Sequence, residues 1–195
     1  MKAVRYGEKK ESFWASKKFL TLLMGIFIIS LMVFSVLYYG LDTSDTKEVE
    51  YKGLTFTQTN LGWQAYTEDD QRILIQSDPS TLDSETLVGS ADFSFLQDLQ
   101  KVYVSFNPYS DVSFALTDFE QNMQGNAVLV ASCYEPSDAC VQLPIKTCDD
   151  ATSTTGVVIF KESDSNSVTL DGNCLVVEGK NLLTITDKLV VDSYV

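Results

Sequence analysis

Residues Val102–Ala131, VYVSFNPYSDVSFALTDFEQNMQGNAVLVA, carry the clearest structural signal in this chain. Val102–Phe106 is a short apolar run of β-branched and aromatic residues, the composition of a strand. From Ser110 to Gln124 the period changes, and Val112, Leu116, Phe119 and Met123 fall on one helical face. Ser110 or Asp111 stands where a helix cap is needed, and Gly125-Asn126 stands where the helix should stop. Ala127–Ala131 is apolar again and reads as a second strand. Strand, short helix and strand in this order predict a βαβ crossover, hence a parallel pair in an α/β domain.

The flanks extend that reading. Leu54–Tyr66 alternates apolar and polar residues around Asn60-Leu61-Gly62, which predicts a β-hairpin. Arg72–Gln76 follows as a third strand, stopped by Asp78-Pro79, and Phe93, Leu96 and Leu99 mark one short helix. Further on, Gly156–Phe160 and Ser167–Val177 read as strands joined by a polar turn at Glu162–Asn166. A terminal helix from Asn181 to Val191 puts Leu182, Ile185 and Leu189 on one face. The order β-α-β, loop, β-β-α is the plan of a thioredoxin-like fold, without its C-x-x-C. The expectation is a mixed sheet with helices packed on it, thioredoxin-like in plan.

Before this domain, Phe19–Leu41 runs for 23 residues without a charge. At about 1.5 Å per residue that is a helix of roughly 34 Å, against a hydrocarbon core of about 30 Å. The expected layout is a basic tail over 1–18, a transmembrane helix over 19–41, a short tether over 42–50 and a domain over 51–195. The tail carries six basic and two acidic residues; the chain after the span carries 8 basic and 25 acidic. Basic residues beside a span stay in the cytoplasm, so the domain is expected outside the cell membrane. Trp14, Tyr38 and Tyr39 suit the headgroup regions. The expected anchor is uncleaved. A cleaved export signal would want small residues at a cut site, and a pilin-like leader would want a glycine directly before the apolar run.

All four cysteines, Cys133, Cys140, Cys148 and Cys174, lie in the outer domain. An even number in an exported domain reads as disulfides, with three connectivities open. Proximity along the chain favours Cys133–Cys140 and Cys148–Cys174, which would contribute roughly 2.5 and 3.5 kcal/mol by loop closure. A four-cysteine zinc site would want a C-x-x-C knuckle, and none is present.

The stretches PIKTCDDAT (Pro144–Thr152), GVVIF (Gly156–Phe160), GNCLVVEG (Gly172–Gly179) and TDKLV (Thr186–Val190) resemble a group of uncharacterised single-pass archaeal membrane proteins. The likeness covers about the last 60 residues and the anchor. It implies an architecture rather than an activity. Cys148 and Cys174 would tie the turn after the third core segment to the hairpin.

The residues exclude several chemistries. Without histidine the chain cannot build Ser-His-Asp or Cys-His systems or histidine metal sites. It has neither a Walker A nor a G-x-G-x-x-G pattern. Glu68-Asp69-Asp70 reads as a solvated turn and Asp149-Asp150 as a loop or cap, and neither has calcium-loop spacing. No catalytic residue, cofactor or metal ligand is assigned. With a net charge of −17 after the span, the outer part of the chain is not expected to bind nucleic acid.

Two loops are the candidate binding residues. Asn107, Tyr109 and Asp111 follow a core strand and precede a helix, where α/β folds place ligands. Tyr134 and Glu135 lie in the small loop between Cys133 and Cys140, where a disulfide would pre-order a contact tip. The expected role is an extracytoplasmic interaction module in a membrane or surface complex. The alternative is an exported thiol-active or hydrolytic enzyme.

Overall fold

The computed structural model describes residues 17–41, 47–84, 86–123, 125 and 127–195, and within the first helix the side chains of 19–37. The expected tail up to residue 16, the side chains of Trp14, Tyr38 and Tyr39, and the helix stop at Asn126 lie outside the described residues. The chain divides into two compact units, Met1–Asp45 and Thr46–Val195. In the first, α1 spans Lys17–Leu41, and its Phe19–Leu37 stretch has a mean hydropathy of 2.6, long and apolar enough to cross a membrane.

The second unit is a mixed α/β domain with two sheets. An antiparallel meander contains β1 (Glu48–Tyr51), β2 (Leu54–Thr59), β3 (Gly62–Tyr66) and β4 (Arg72–Ile75), in that order. The predicted hairpin is β2–β3: Thr59 Oγ1 donates to the Gly62 carbonyl at 2.8 Å, and Gly62 has φ +126. The meander also corrects the tether. Residues 48–50 belong to β1, because Val49 and Tyr51 alternate with glutamates and Lys52-Gly53, at φ 50 and 81, forms a two-residue turn into β2.

Two 3-10 turns follow, Pro79–Ser84 and Ser94–Asp98, the latter burying Leu96 between Phe93 and Leu99. The second sheet contains β5 (Lys101–Ser105), β6 (Val128–Ser132), β7 (Thr155–Glu162), β8 (Ser167–Asp171) and β9 (Cys174–Gly179), in spatial order β6-β5-β7-β9-β8. The predicted crossover is present: β5 and β6 pair in parallel through α2 (Ser113–Met123). The helix starts later than expected and is capped by neither Ser110 nor Asp111. The Asp111 N–H is taken by Glu162 Oε1 at 3.0 Å.

Ser167–Val177 is not one strand. A turn at Gly172-Asn173 folds it into the antiparallel pair β8–β9. β9 inserts between β7 and β8 and runs parallel to β7, so the predicted pairing of adjacent strands across Glu162–Asn166 does not form. The thioredoxin-like plan is therefore not confirmed by the pairing. A final helix, α3 (Leu182–Asp192), is capped by Asn181, whose side chain accepts from the Thr184 N–H.

The two helices lie side by side and touch β4 of the meander as well as β7 and β9 of the second sheet. One continuous core joins all three layers. Phe119 of α2 sits at its centre, edge-on to Phe93 at 4.8 Å and to Phe160 of β7 at 5.6 Å. The opposite face of the second sheet is covered by a smaller apolar cluster around Val157, Ile159 and Cys174. Two disulfides, Cys133–Cys140 and Cys148–Cys174, staple the covering segment, and they are the pairs that proximity favours.

Because Phe119 is fully buried in the shared core between Phe93 and Phe160, Phe119→Ala should cost about 3–5 kcal/mol of unfolding free energy. Urea denaturation checks it, and a loss below about 1 kcal/mol would show that the layers do not share one core.

Candidate functional site

β5, β6 and β7 run parallel, so the loops leaving their carboxyl ends emerge at one edge of the domain. Two buried hydroxyls organise that edge. Ser105 ends β5 and Ser132 ends β6; their Oγ atoms are 2.7 Å apart, and Ser105 donates to the Lys146 carbonyl at 2.8 Å. The Cys133 N–H donates to the Pro144 carbonyl and the Lys146 N–H to the Cys133 carbonyl. The loop between β6 and β7 is thus pulled back across the strand ends.

This folding brings the two candidate loops together. Asn107 Oδ1 accepts from the Tyr109 N–H at 3.0 Å, closing a turn, while its Nδ2 donates to Glu135 Oε1 at 3.2 Å. Tyr134 lies beside this contact, and its hydroxyl pKa is raised by burial and by the Glu135 charge. Asp111 belongs to the same edge through its main chain, held by Glu162 at the end of β7. Tyr109 itself is 73% exposed, and Phe114, in the first turn of α2, is 64% exposed. The arrangement presents aromatic surface on a backbone tied down from three strands.

The acidic clusters take the places their sequences implied. Glu68-Asp69-Asp70 is exposed in the β3–β4 turn. Asp150 closes a capping box on the short turn Cys148–Asp150, accepting from the Thr147 N–H at 3.0 Å, and pairs with Lys146 at 2.7 Å. Phe56 and Trp63 are buried in the meander, whereas Tyr66 is exposed. Among the described residues no group of three or more His, Cys, Asp or Glu is placed to hold a metal.

Sequence reasoning missed the most unusual group in the domain. Asp118 of α2 and Asp187 of α3 are fully buried, and each perturbs the other's ionisation. Asp118 Oδ2 accepts the Gln76 N–H at 2.9 Å, and Asp187 Oδ2 accepts the Ser77 N–H at 2.8 Å. One turn along α2, Asn122 accepts the Leu74 N–H at 2.9 Å and donates to the Leu74 carbonyl at 2.7 Å. Three helix side chains therefore satisfy the outer edge of β4 as a neighbouring strand would.

Neither Oδ1 atom of the pair finds a donor among the described residues. One proton shared between the two carboxyls would supply both, and the pH profile below tests it. Burial pushes the Asp187 carboxyl up to about 8, reinforced by the neighbouring Asp118, so Asp187 is the member of the pair that favours its protonated form. Burial raises the Asp118 pKa as well, while the neighbouring Asp187 and the Gln76 N–H oppose that rise. The sequence signal was a polar residue beside the apolar stripe of α2, adjacent to Phe119 and one turn before Asn122.

This pair sets a pH dependence. Between about 4, the ordinary carboxyl value, and about 8, the folded chain keeps a proton that the unfolded chain releases. Stability should fall as pH rises through that window, by at most about 1.4 kcal/mol per unit, and level off above it. Asp187→Asn can accept from Ser77 and donate to Asp118 without a titrating proton, so it should flatten the profile. Urea unfolding of both proteins from pH 5 to 8.5 checks this, and a flat profile in the unsubstituted chain would refute the shared proton. No protein-family model, curated protein or solved structure matches this chain, so its role is read from its own geometry.

Proposed function

We propose that the chain is a single-pass membrane protein that displays its disulfide-stapled domain outside the cell as an interaction module of a membrane or surface complex. The charge asymmetry about the uncharged stretch Phe19–Leu41, net +4 before it and −17 after it, supports a cytoplasmic N-terminus. Two disulfides in the domain suit an oxidising exterior.

The observation that carries the reading is the pair of exposed aromatics, Tyr109 and Phe114, beside a backbone fixed by Asn107, Glu135 and Glu162. Aromatic rings on a pre-ordered surface lose little entropy on contact and dominate many interfaces. The alternative of an exported hydrolytic enzyme draws on the Asp118–Asp187 pair, whose raised pKa values are of the kind catalysis uses. Complete burial and the hydrogen bonds to Gln76 and Ser77 favour a structural task for it instead.

Cross-linking in native membranes tests the proposal. The chain should appear in adducts with other membrane or surface proteins. The double variant Tyr109→Ala, Phe114→Ala should lose those adducts at least tenfold while its unfolding midpoint stays within a few degrees. Recovery of the protein only as a monomer would reject the module.

A further inference from the structure

The domain treats its strand edges unequally. The outer edge of β4 is satisfied by Asn122, Asp118 and Asp187. The outer edge of β8 is covered at Val88, which exchanges main-chain hydrogen bonds with Asn166 and Val168, and Gly89 makes that approach possible, since a Cβ there would lie 2.0 Å from the Val168 carbonyl. β1 carries Glu48 and Glu50, charges of the kind that discourage edge pairing. β6 has none of these protections. It reads VLVAS, without charge or proline, and lies at the end of its sheet.

The hydrogen-bond phase of β6 is fixed. The Val128 N–H donates to the Gln100 carbonyl at 3.0 Å and the Ser132 carbonyl accepts the Phe106 N–H at 3.1 Å. In a parallel ladder the alternate residues face away, so the N–H and C=O groups of Leu129 and Ala131 point outward. Among the described residues nothing pairs with them there. Their side chains line a cleft of about 260 Å³ between β6 and α2, together with Val104, Phe106, Leu116 and Glu120.

We propose that this edge and cleft bind an extended segment of a second protein as an added strand, with apolar side chains at alternate positions and a lysine or arginine beside them. The inference rests on the interaction-module reading and names its surface and its partner. The outward peptide groups call for an extended backbone, and the apolar cleft takes the inward side chains of such a strand. Glu120 on the rim and the net charge of −17 carried by the chain after the span select a basic flank. The same charge disfavours a second copy of this domain as occupant. Phe106 closes the cleft where the Asn107 loop begins, so the bound strand would end beside the exposed Tyr109.

The test uses the full chain in phosphatidylcholine nanodiscs and a library of seven-residue peptides. Each peptide has Val, Ile, Leu or Phe at the second, fourth and sixth positions and either Lys or Glu at both ends. Lys-flanked members should bind at least tenfold more tightly than Glu-flanked ones and slow hydrogen exchange at Leu129 and Ala131. Ala131→Pro removes an outward donor that β5 does not use and should abolish binding. Glu120→Gln, an exposed helix substitution, should erase most of the charge preference even if the proline variant fails to fold. Absence of binding, protection elsewhere, or self-association of the chain through β6 would overturn the proposal. In native membranes, adducts that survive Ala131→Pro would overturn the cleft and leave the module standing, whereas absence of all adducts would reject the module itself.

Discussion

The domain depends on the way α2 and α3 satisfy the buried edge of β4. A strand edge enclosed by helices has lost its water, and each unpaired N–H left there would cost about 1–3 kcal/mol. Asn122, Asp118 and Asp187 supply the missing acceptors at Leu74, Gln76 and Ser77. Burial raises the pKa of both carboxyls, that of Asp187 to about 8, so the pair avoids carrying two charges away from water. The meander, the helix pair and the second sheet are thereby locked together by polar contacts as well as by Phe119 and its neighbours.

Enclosure on one side contrasts with exposure on the other. The helix pair covers the edge of the first sheet, and the stapled segment between β6 and β7 covers the far face of the second. Among the surfaces that remain outside are the loop edge with Tyr109 and the adjoining strand β6. Both belong to the βαβ crossover, so a single supersecondary unit contributes to the core and carries the surface that is left for contact.

That crossover was legible in the sequence because its apolar residues keep a strict period: Val112, Phe119 and Met123 are buried where the helical stripe puts them. The β2–β3 hairpin and the cysteine pairs were legible for local reasons, a turn signal and short spacing. Where pairing is decided at long range, the reading fell short. β1 looked like a tether because its polar residues face solvent and its partner is set by a turn at Lys52-Gly53. The insertion of β9 between β7 and β8 leaves no mark in either strand's composition. Asn107, Tyr109 and Asp111 follow a strand and precede a helix, as their sequence implies, but the meeting of that loop with the Cys133–Cys140 loop through Asn107 and Glu135 is a product of the parallel register. Asp118 and Asp187 gave almost no signal, since a buried acid is intelligible only when its distant partners are known.

The Ser77–Asp187 hydrogen bond spans 110 residues of chain and the Gln76–Asp118 bond spans 42. During synthesis the meander is complete as a chain segment long before α3 exists, yet its last strand still lacks the acceptors that keep its edge dry. The first sheet is therefore made early and finished late. Its final closure waits for the C-terminal helix, and until then β4 is the element most open to mispairing.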